Sequence, residues 1–174
     1  LLQTLTIGVL PFSLGPLISL LLAAALLLVV RRVFNITRWH GPADSIYAAH
    51  RTDNELDVRA GFGSTLAAFI SASGGASVGQ YGPLVHFGAT MGSFLRQMTG
   101  GVLTTDVFIG CGVAGAIAAG FNAPIAGLVF AHEAILRHFF MRAIAPIAIA
   151  SISAVWFSNR LFDVAPLFTM DSSG

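Results

Sequence analysis

The chain has 174 residues, of which 55% are hydrophobic and only 10% charged, with a mean hydropathy of +0.80. Soluble domains carry about a quarter charged residues, so this is the composition of a membrane chain. A net charge of +1 with no basic stripe argues against a nucleic-acid partner, and the nine cationic side chains are all arginine, which excludes a P-loop lysine and a Schiff-base lysine.

The chain opens on Leu1-Leu2-Gln3, with no initiator Met and no basic n-region. It is not a convincing signal peptide and reads as a length cut from something longer. Leu5 to Val30 is nearly uncharged, but Pro11, Gly15 and Pro16 interrupt it early, so the spacing predicts a spanning helix from Leu14 to Val33. That is about the length a bilayer core requires, and its apolar character runs all the way round. Arg31, Arg32 and Arg38 follow directly, as arginines do on the cytoplasmic side of a span. Trp39 to Ile46 contains a break at Gly41-Pro42 before a short helix, and His50 to Arg59 is polar and reads as a solvated loop.

Ala60 to Val78 is apolar and rich in Gly, Ala and Ser, which let membrane helices approach closely. The stretch Gly79-Gln80-Tyr81-Gly82-Pro83-Leu84-Val85-His86-Phe87-Gly88 then breaks the chain. One helix is expected to end near Val78 and another to start at Pro83, because proline suits a first helical turn, where its missing N–H is no loss. Such a start exposes free amides and the positive end of a helix dipole. The new helix is predicted to run to about Met98, with a turn over 99–105. Asp106 is placed in the first turn of the next helix, which runs to Gly120 and carries small residues at Gly112, Ala116 and Gly120. Gly120-Phe121-Asn122-Ala123-Pro124 is a third break, followed by a helix to about His138 and a final apolar segment, Ala143 to Phe157. Trp39 and Trp156 suit membrane interfaces. Cys111 is the single cysteine and has no internal disulfide partner.

Interrupted apolar segments with Gly/Pro breaks mark binding sites in transport proteins, because non-helical backbone at membrane depth survives only where protein or a water-filled cavity satisfies it. From Leu66 to Gln97 the only charged side chain is Arg96, so nothing acidic serves a cation at the central break. Helix N-termini favour anions. The reading is an all-α, polytopic membrane bundle with broken and re-entrant helices, residues 1–174 forming one transmembrane region of a longer pore domain.

At this point the residues become recognisable. Gly79 to Gly88 resembles the G-(R/K)-E-G-P-x-V-(H/Q)-I-(G/A) motif of the CLC chloride channel and transporter family. Gly112 to Phe130, with Phe121-Asn122-Ala123-Pro124 at its centre, resembles that family's G-x-A-A-G-x-A-A-x-F-N-A-P-x-A-G-x-x-F stretch, in the family's order. His40-Gly41-Pro42-Ala43-Asp44 falls where the family has G-S-G-x-P-E. The likeness covers Leu14 to Phe157 and corresponds to the first half of an inverted repeat. It implies a homodimer with one pore per subunit, an interface on the helix after Pro124 and the next one, and chloride held by helix N-termini in the plasma membrane. The anion-binding candidates are His40, Gly41, Gly79, Gln80, Tyr81, Gly82, Leu84 and Val85. The bilayer and chloride are the partners, with no other cofactor and no nucleic acid.

Two departures matter. The family's gating glutamate is Tyr81 here, which donates a hydrogen bond to an anion but does not compete as one near neutrality. The inner proton-transfer glutamate, second acid of an F-x-x-E-E pattern, is Ala134 in Phe130-Ala131-His132-Glu133-Ala134. A passive, channel-like anion pathway is therefore expected. The alternatives are an anion/proton antiporter that uses His40, His86 or His132, and a non-conducting membrane fragment or assembly partner. No enzyme is expected: His132-Glu133 lacks the second histidine of H-E-x-x-H, where Leu136 stands, and Gly61-Phe62-Gly63 falls short of a dinucleotide fingerprint. Glu133 reads as a structural i, i+4 partner of Arg137, and His86 as a hydrogen-bonded packing residue.

Overall fold

The computed structural model describes residues 4–7, 10–51, 56–77, 79, 81–100, 103–138 and 141–162. From residue 14 onward the described elements are helical. A short antiparallel hairpin, β1 (Thr4–Ile7) and β2 (Leu10–Ser13), precedes them, with Thr4 opposite Ser13 and Ile7 opposite Leu10. The sequence reading anticipates no strand there. Threonine, isoleucine and phenylalanine suit extended backbone, and Pro11 cannot continue a helical ladder, which is why the helix waits until Leu14.

Helix α1 (Leu14–Val33) has the predicted bounds and a mean hydropathy of 2.1 over its apolar window. Its leucines point outward on several sides, Leu21 at 62% and Leu28 at 67% exposed, as a bilayer-facing helix requires. It stops where Asn35 turns left-handed and the Ile36 amide reaches back to the Arg31 carbonyl at 2.9 Å. Helix α2 (Pro42–His50) starts on Gly41, whose amide donates to Asp44 Oδ2 at 2.8 Å, while Arg38 pairs with the other carboxylate oxygen. Helix α3 (Val58–Ser73) is capped by Asp57, which accepts from the Ala60 amide at 3.0 Å. It ends at Ser73, five residues before the expected Val78, and the carbonyl of its C-cap Gly74 accepts from Ser19 Oγ of α1 at 3.0 Å. Gly74 lies against Ala23 as well, so the chain leaves α3 where α1 passes closest. Val78 itself lies outside the described residues.

Helix α4 (Tyr81–Thr99) begins two residues ahead of Pro83, so Pro83 sits inside the first turn instead of opening it. Helix α5 (Thr105–Phe121) carries Asp106 in its first turn, as expected, and closes on Asn122 in the left-handed conformation, φ 52°. Helix α6 (Pro124–Phe130) runs without a break into a π-helical turn, Ala131–Leu136. Helix α7 (Met141–Phe162) tolerates Pro146 in its second turn and is longer than the sequence spacing suggested.

The core lies between α4, α5 and α7. Ala89, Ile109, Val113, Ala114, Ala118 and Ile147 are fully buried. The predominance of alanine and glycine there sets how closely the helices approach. A methyl group built on Gly88 or Gly112 runs into the other's carbonyl, so these two backbones touch. Backbone cannot yield as a flexible side chain does. Gly112→Val is expected to cost about 3 kcal/mol or more by overpacking, read as a lowered melting temperature of the purified complete protein. Gly79→Ala, where nothing lies within 4 Å, should leave the melting temperature unchanged.

The π-helical turn corrects the expected Glu133–Arg137 pair. A π turn adds a residue to the repeat, so position 137 no longer lies one turn above position 133. Arg137 instead terminates the helix in a left-handed conformation, φ 55°, and the two charges form no ion pair with each other. Both side chains are exposed. The helix predicted to reach His138 thus stops at Leu136.

Candidate functional site

The first turns of α2 and α4 meet. A methyl group on Gly82 would lie 3.4 Å from Pro42 Cγ, an ordinary van der Waals contact, so a glycine at 82 keeps the two helix starts at touching distance without closing the space beside them. That space is a cavity of about 770 Å³. Pro42 and Ile46 of α2 form one wall, and Tyr81, Gly82 and Val85 of α4 another. Ile117, Phe121, Asn122 and Ala123 come from the end of α5 and its turn, with Ala126, Phe130, Ala134 and Ile135 from α6 and the π-helical turn.

The lining is almost wholly apolar, and apart from the Tyr81 and Asn122 side chains the polar groups available at its rim are backbone. A helix that starts at Tyr81 leaves the Tyr81 and Gly82 amides without an intrahelical partner, and Pro83 has none to offer. In the helical pattern the Val85 amide returns to the Tyr81 carbonyl. The two helix dipoles of α2 and α4 put their positive ends at the same cavity. No ionised side chain lines it among the described residues, but the Asp44 carboxylate caps the α2 start through the Gly41 amide, so the uncapped field is that of α4.

Tyr81 is half exposed, and its ring stacks on Phe121 with centroids 4.6 Å apart and planes 17° from parallel. The pair joins the start of α4 to the end of α5 across the rim. Ala134 lines the same cavity from the π-helical turn. The chain therefore brings to one space both positions at which the resemblance expects carboxylates, and neither carries one.

The other sequence candidates fall in different places. His40 and Gly41 line a smaller neighbouring cavity of about 210 Å³, which shares Pro42 with the large one. Leu84 is not among the residues that line the cavity, and its Cδ2 lies against Gly120 at the end of α5. Gly79 is exposed, and Gln80 lies outside the described residues. His132, buried in the π-helical turn, is paired through Nδ1 to the Leu128 carbonyl at 3.0 Å. Sequence reasoning missed that Phe121, Asn122, Ala123 and Ala126 face the same cavity as Tyr81. The signal for them was present in the Gly-Phe-Asn-Ala-Pro break, which the sequence reading took as a helix break and a family motif without naming its residues as site candidates.

Two helices, Gly15–Val33 and Met141–Phe162, are long and apolar enough to cross a membrane. The family described as "Voltage gated chloride channel" matches residues 21–174. The chain is 29% identical over 140 residues to the voltage-gated ClC-type chloride channel ClcB of Yersinia pseudotuberculosis serotype O:1b (strain IP 31758), covering 80% of this chain and 34% of that protein. It is 30% identical over 140 residues to the ClcB of Escherichia coli O81 (strain ED1a), covering 80% and 33%. The chain thus spans about a third of the length of the curated relatives it matches. No solved structure matches it. The broken helices, the Gly-x-Tyr-Gly-Pro and Phe-Asn-Ala-Pro turns and the extent of the match agree: the chain belongs to the voltage-gated chloride channel family.

Proposed function

We propose that the complete protein carrying this chain is a passive pathway for chloride or another small anion across the plasma membrane. The observation that carries the reading is the convergence of the α2 and α4 N-termini on one cavity with no carboxylate in its lining. Free amides and helix dipoles attract an anion, and an uncharged wall neither repels nor traps it. The anion ligands in this reading are the free amides of Tyr81 and Gly82 at the start of α4, with the Tyr81 hydroxyl as a movable donor. Tyr81 against Phe121 is the gate. Chloride is the bound ligand and no cofactor takes part.

The protein in this reading is a homodimer with one pathway per subunit. The outer faces of α6 and α7 supply the interface, where Ile125, Ile149, Ile152 and Trp156 are exposed and apolar. The decisive test is tracer chloride efflux from vesicles that contain the complete protein. Absence of flux above empty vesicles at any pH overturns the transport reading.

The orientation is open to a separate check. Arginine clusters at the end of α1 (Arg31, Arg32, then Arg38) and before and inside the start of α7 (Arg137, Arg142). Both ends belong on the cytoplasmic side. In a background with Cys111 replaced by serine, Asn35→Cys and Met141→Cys should each react with an impermeant thiol reagent only from the cytoplasmic face. Labelling from opposite faces contradicts the arrangement.

A further inference from the structure

Arginine gathers at one end of the bundle. Arg31 and Arg32 close α1, and Arg59 in the first turn of α3 donates through Nη2 to the Val33 carbonyl at 3.2 Å. Arg96 lies in the last turn of α4, Arg137 ends the π-helical turn and Arg142 stands in the first turn of α7. Asp106 and Val107 share a cavity wall with Met141 and Ala143, so the starts of α5 and α7 lie at this same end. Arg160, in the last turn of α7, is at the other.

Here α2 finishes beside the π-helical turn, and between them lies a pocket of about 370 Å³ lined by Ala43, Ile46, Tyr47, His50 and Arg137. Ala43, Ile46 and the Tyr47 ring make an apolar wall, with Arg137 as the cation on its rim. Arg51 adds a second guanidinium, its Cζ 5.3 Å from the centroid of the Tyr47 ring. The His50 ring is fixed between them: Nδ1–H donates to the Ile46 carbonyl at 2.7 Å, and His138 meets the ring edge-on at 6.3 Å. No carboxylate lines the pocket among the described residues, and the Arg137 guanidinium makes no ion pair among them. Arg137 also holds a left-handed backbone, φ 55°, at a helix end that ordinarily takes glycine. The chain sets a guanidinium where the backbone alone would favour none.

Two guanidiniums beside an apolar, aromatic wall suit an amphipathic phosphate. Guanidinium forks match phosphate oxygens pairwise, and the wall suits the hydrocarbon next to the phosphate. A free phosphate would use the charge and leave the wall unused. The pocket lies at the bundle end where α1 and α7 leave the hydrocarbon, which is headgroup level. We propose that this pocket binds the phosphate headgroup of an anionic phospholipid from the arginine-rich leaflet. The site is independent of the transport reading, whereas naming that leaflet cytoplasmic rests on the orientation argued above. Ile46 lines both this pocket and the main cavity, so a bound lipid ties together α2 and the π-helical turn, two of the main cavity's walls.

The test is native mass spectrometry of the complete protein in detergent, with phosphatidylglycerol and phosphatidylcholine of the same chain length supplied in equal amounts. The wild type should retain phosphatidylglycerol with about tenfold preference, and Arg137→Gly should lose that preference. Glycine suits the backbone at 137, so this variant should melt no lower than wild type in phosphatidylcholine, which separates loss of lipid from loss of fold. Arg160→Gln, at the far end, should keep the preference. Equal retention of the two lipids by the wild type overturns the proposal, as does a preference that survives in Arg137→Gly. Should Arg137→Gly melt lower, Arg51→Gln is read in its place by the same criterion. Displacement of the phosphatidylglycerol by millimolar inorganic phosphate would assign the pocket to a soluble ligand and overturn the lipid. Thiol labelling of Asn35→Cys and Met141→Cys from the opposite face reassigns the leaflet and leaves the binding result standing.

Discussion

Vesicles containing the complete protein should release chloride with no stoichiometric movement of protons. Coupled exchange requires groups that change protonation within reach of the anion path and of each other. The cavity at the helix starts holds the two positions from which such groups would act, Tyr81 and Ala134, and both face it. A tyrosine, with a reference pKa of about 10, is a poor proton carrier near neutrality, and alanine carries none. The histidines are the other possible carriers. His40 and His86 sit in a separate cavity on the far side of Pro42, and His132 has its Nδ1 committed to the Leu128 carbonyl. Chloride efflux and external pH recorded together decide the matter. Anion flux without a linked pH change supports the passive pathway. A fixed anion-to-proton ratio, with a reversal potential that follows the pH gradient, overturns it in favour of an antiporter.

The parts of this architecture that depend on local chemistry were legible in the sequence. An apolar run gave α1 its bounds, and the Gly-Pro and Asn-Ala-Pro breaks announced that α2 and α6 begin there. Asp106 marked the beginning of α5. What required packing was not legible. Nothing in Gly74 distinguishes it from Gly75 until α1 is seen pressing on it, so the end of α3 was set too late. The π-helical turn after Phe130 answers to the fit of Ala131, Ile135 and Leu136 in the core and leaves no mark on a 3.6-residue pattern. The same turn removed the Glu133–Arg137 pair. At the site, Tyr81 and Gly82 were found by their place in a motif, whereas Phe121 became a site residue only when its ring met Tyr81. The His40–His86 pairing joins the turn before α2 to α4, and no sequence spacing reports it.

Tyr81→Glu should convert the pathway into one closed by rising pH. The side chain at 81 stands at the first turn of α4, half exposed and on the rim of the cavity. An ionised carboxylate there competes with the anion for the same free amides and dipole, since both are negative and both suit a helix N-terminus. Two like charges about 5 Å apart in a surrounding of effective dielectric near 20 repel by about 3 kcal/mol, which is about a hundredfold in anion occupancy. Protonation removes the competitor, so flux in the variant should be close to wild type well below the reference glutamate value of about 4.3 and fall as pH rises through the titration of the new carboxylate. The effect is read as the ratio of variant to wild-type flux at each pH. Loss of the Tyr81–Phe121 stack works in the opposite direction, because it unblocks the rim, and the variant at low pH should therefore conduct at least as well as wild type. Tyr81→Gln, with a neutral side chain of the same length, should show no pH-dependent closure. A pH-independent variant-to-wild-type ratio for Tyr81→Glu would place residue 81 away from the anion path, and an equal closure in Tyr81→Gln would assign the effect to shape rather than charge. Proton coupling should not appear in Tyr81→Glu, because the inner position is still Ala134.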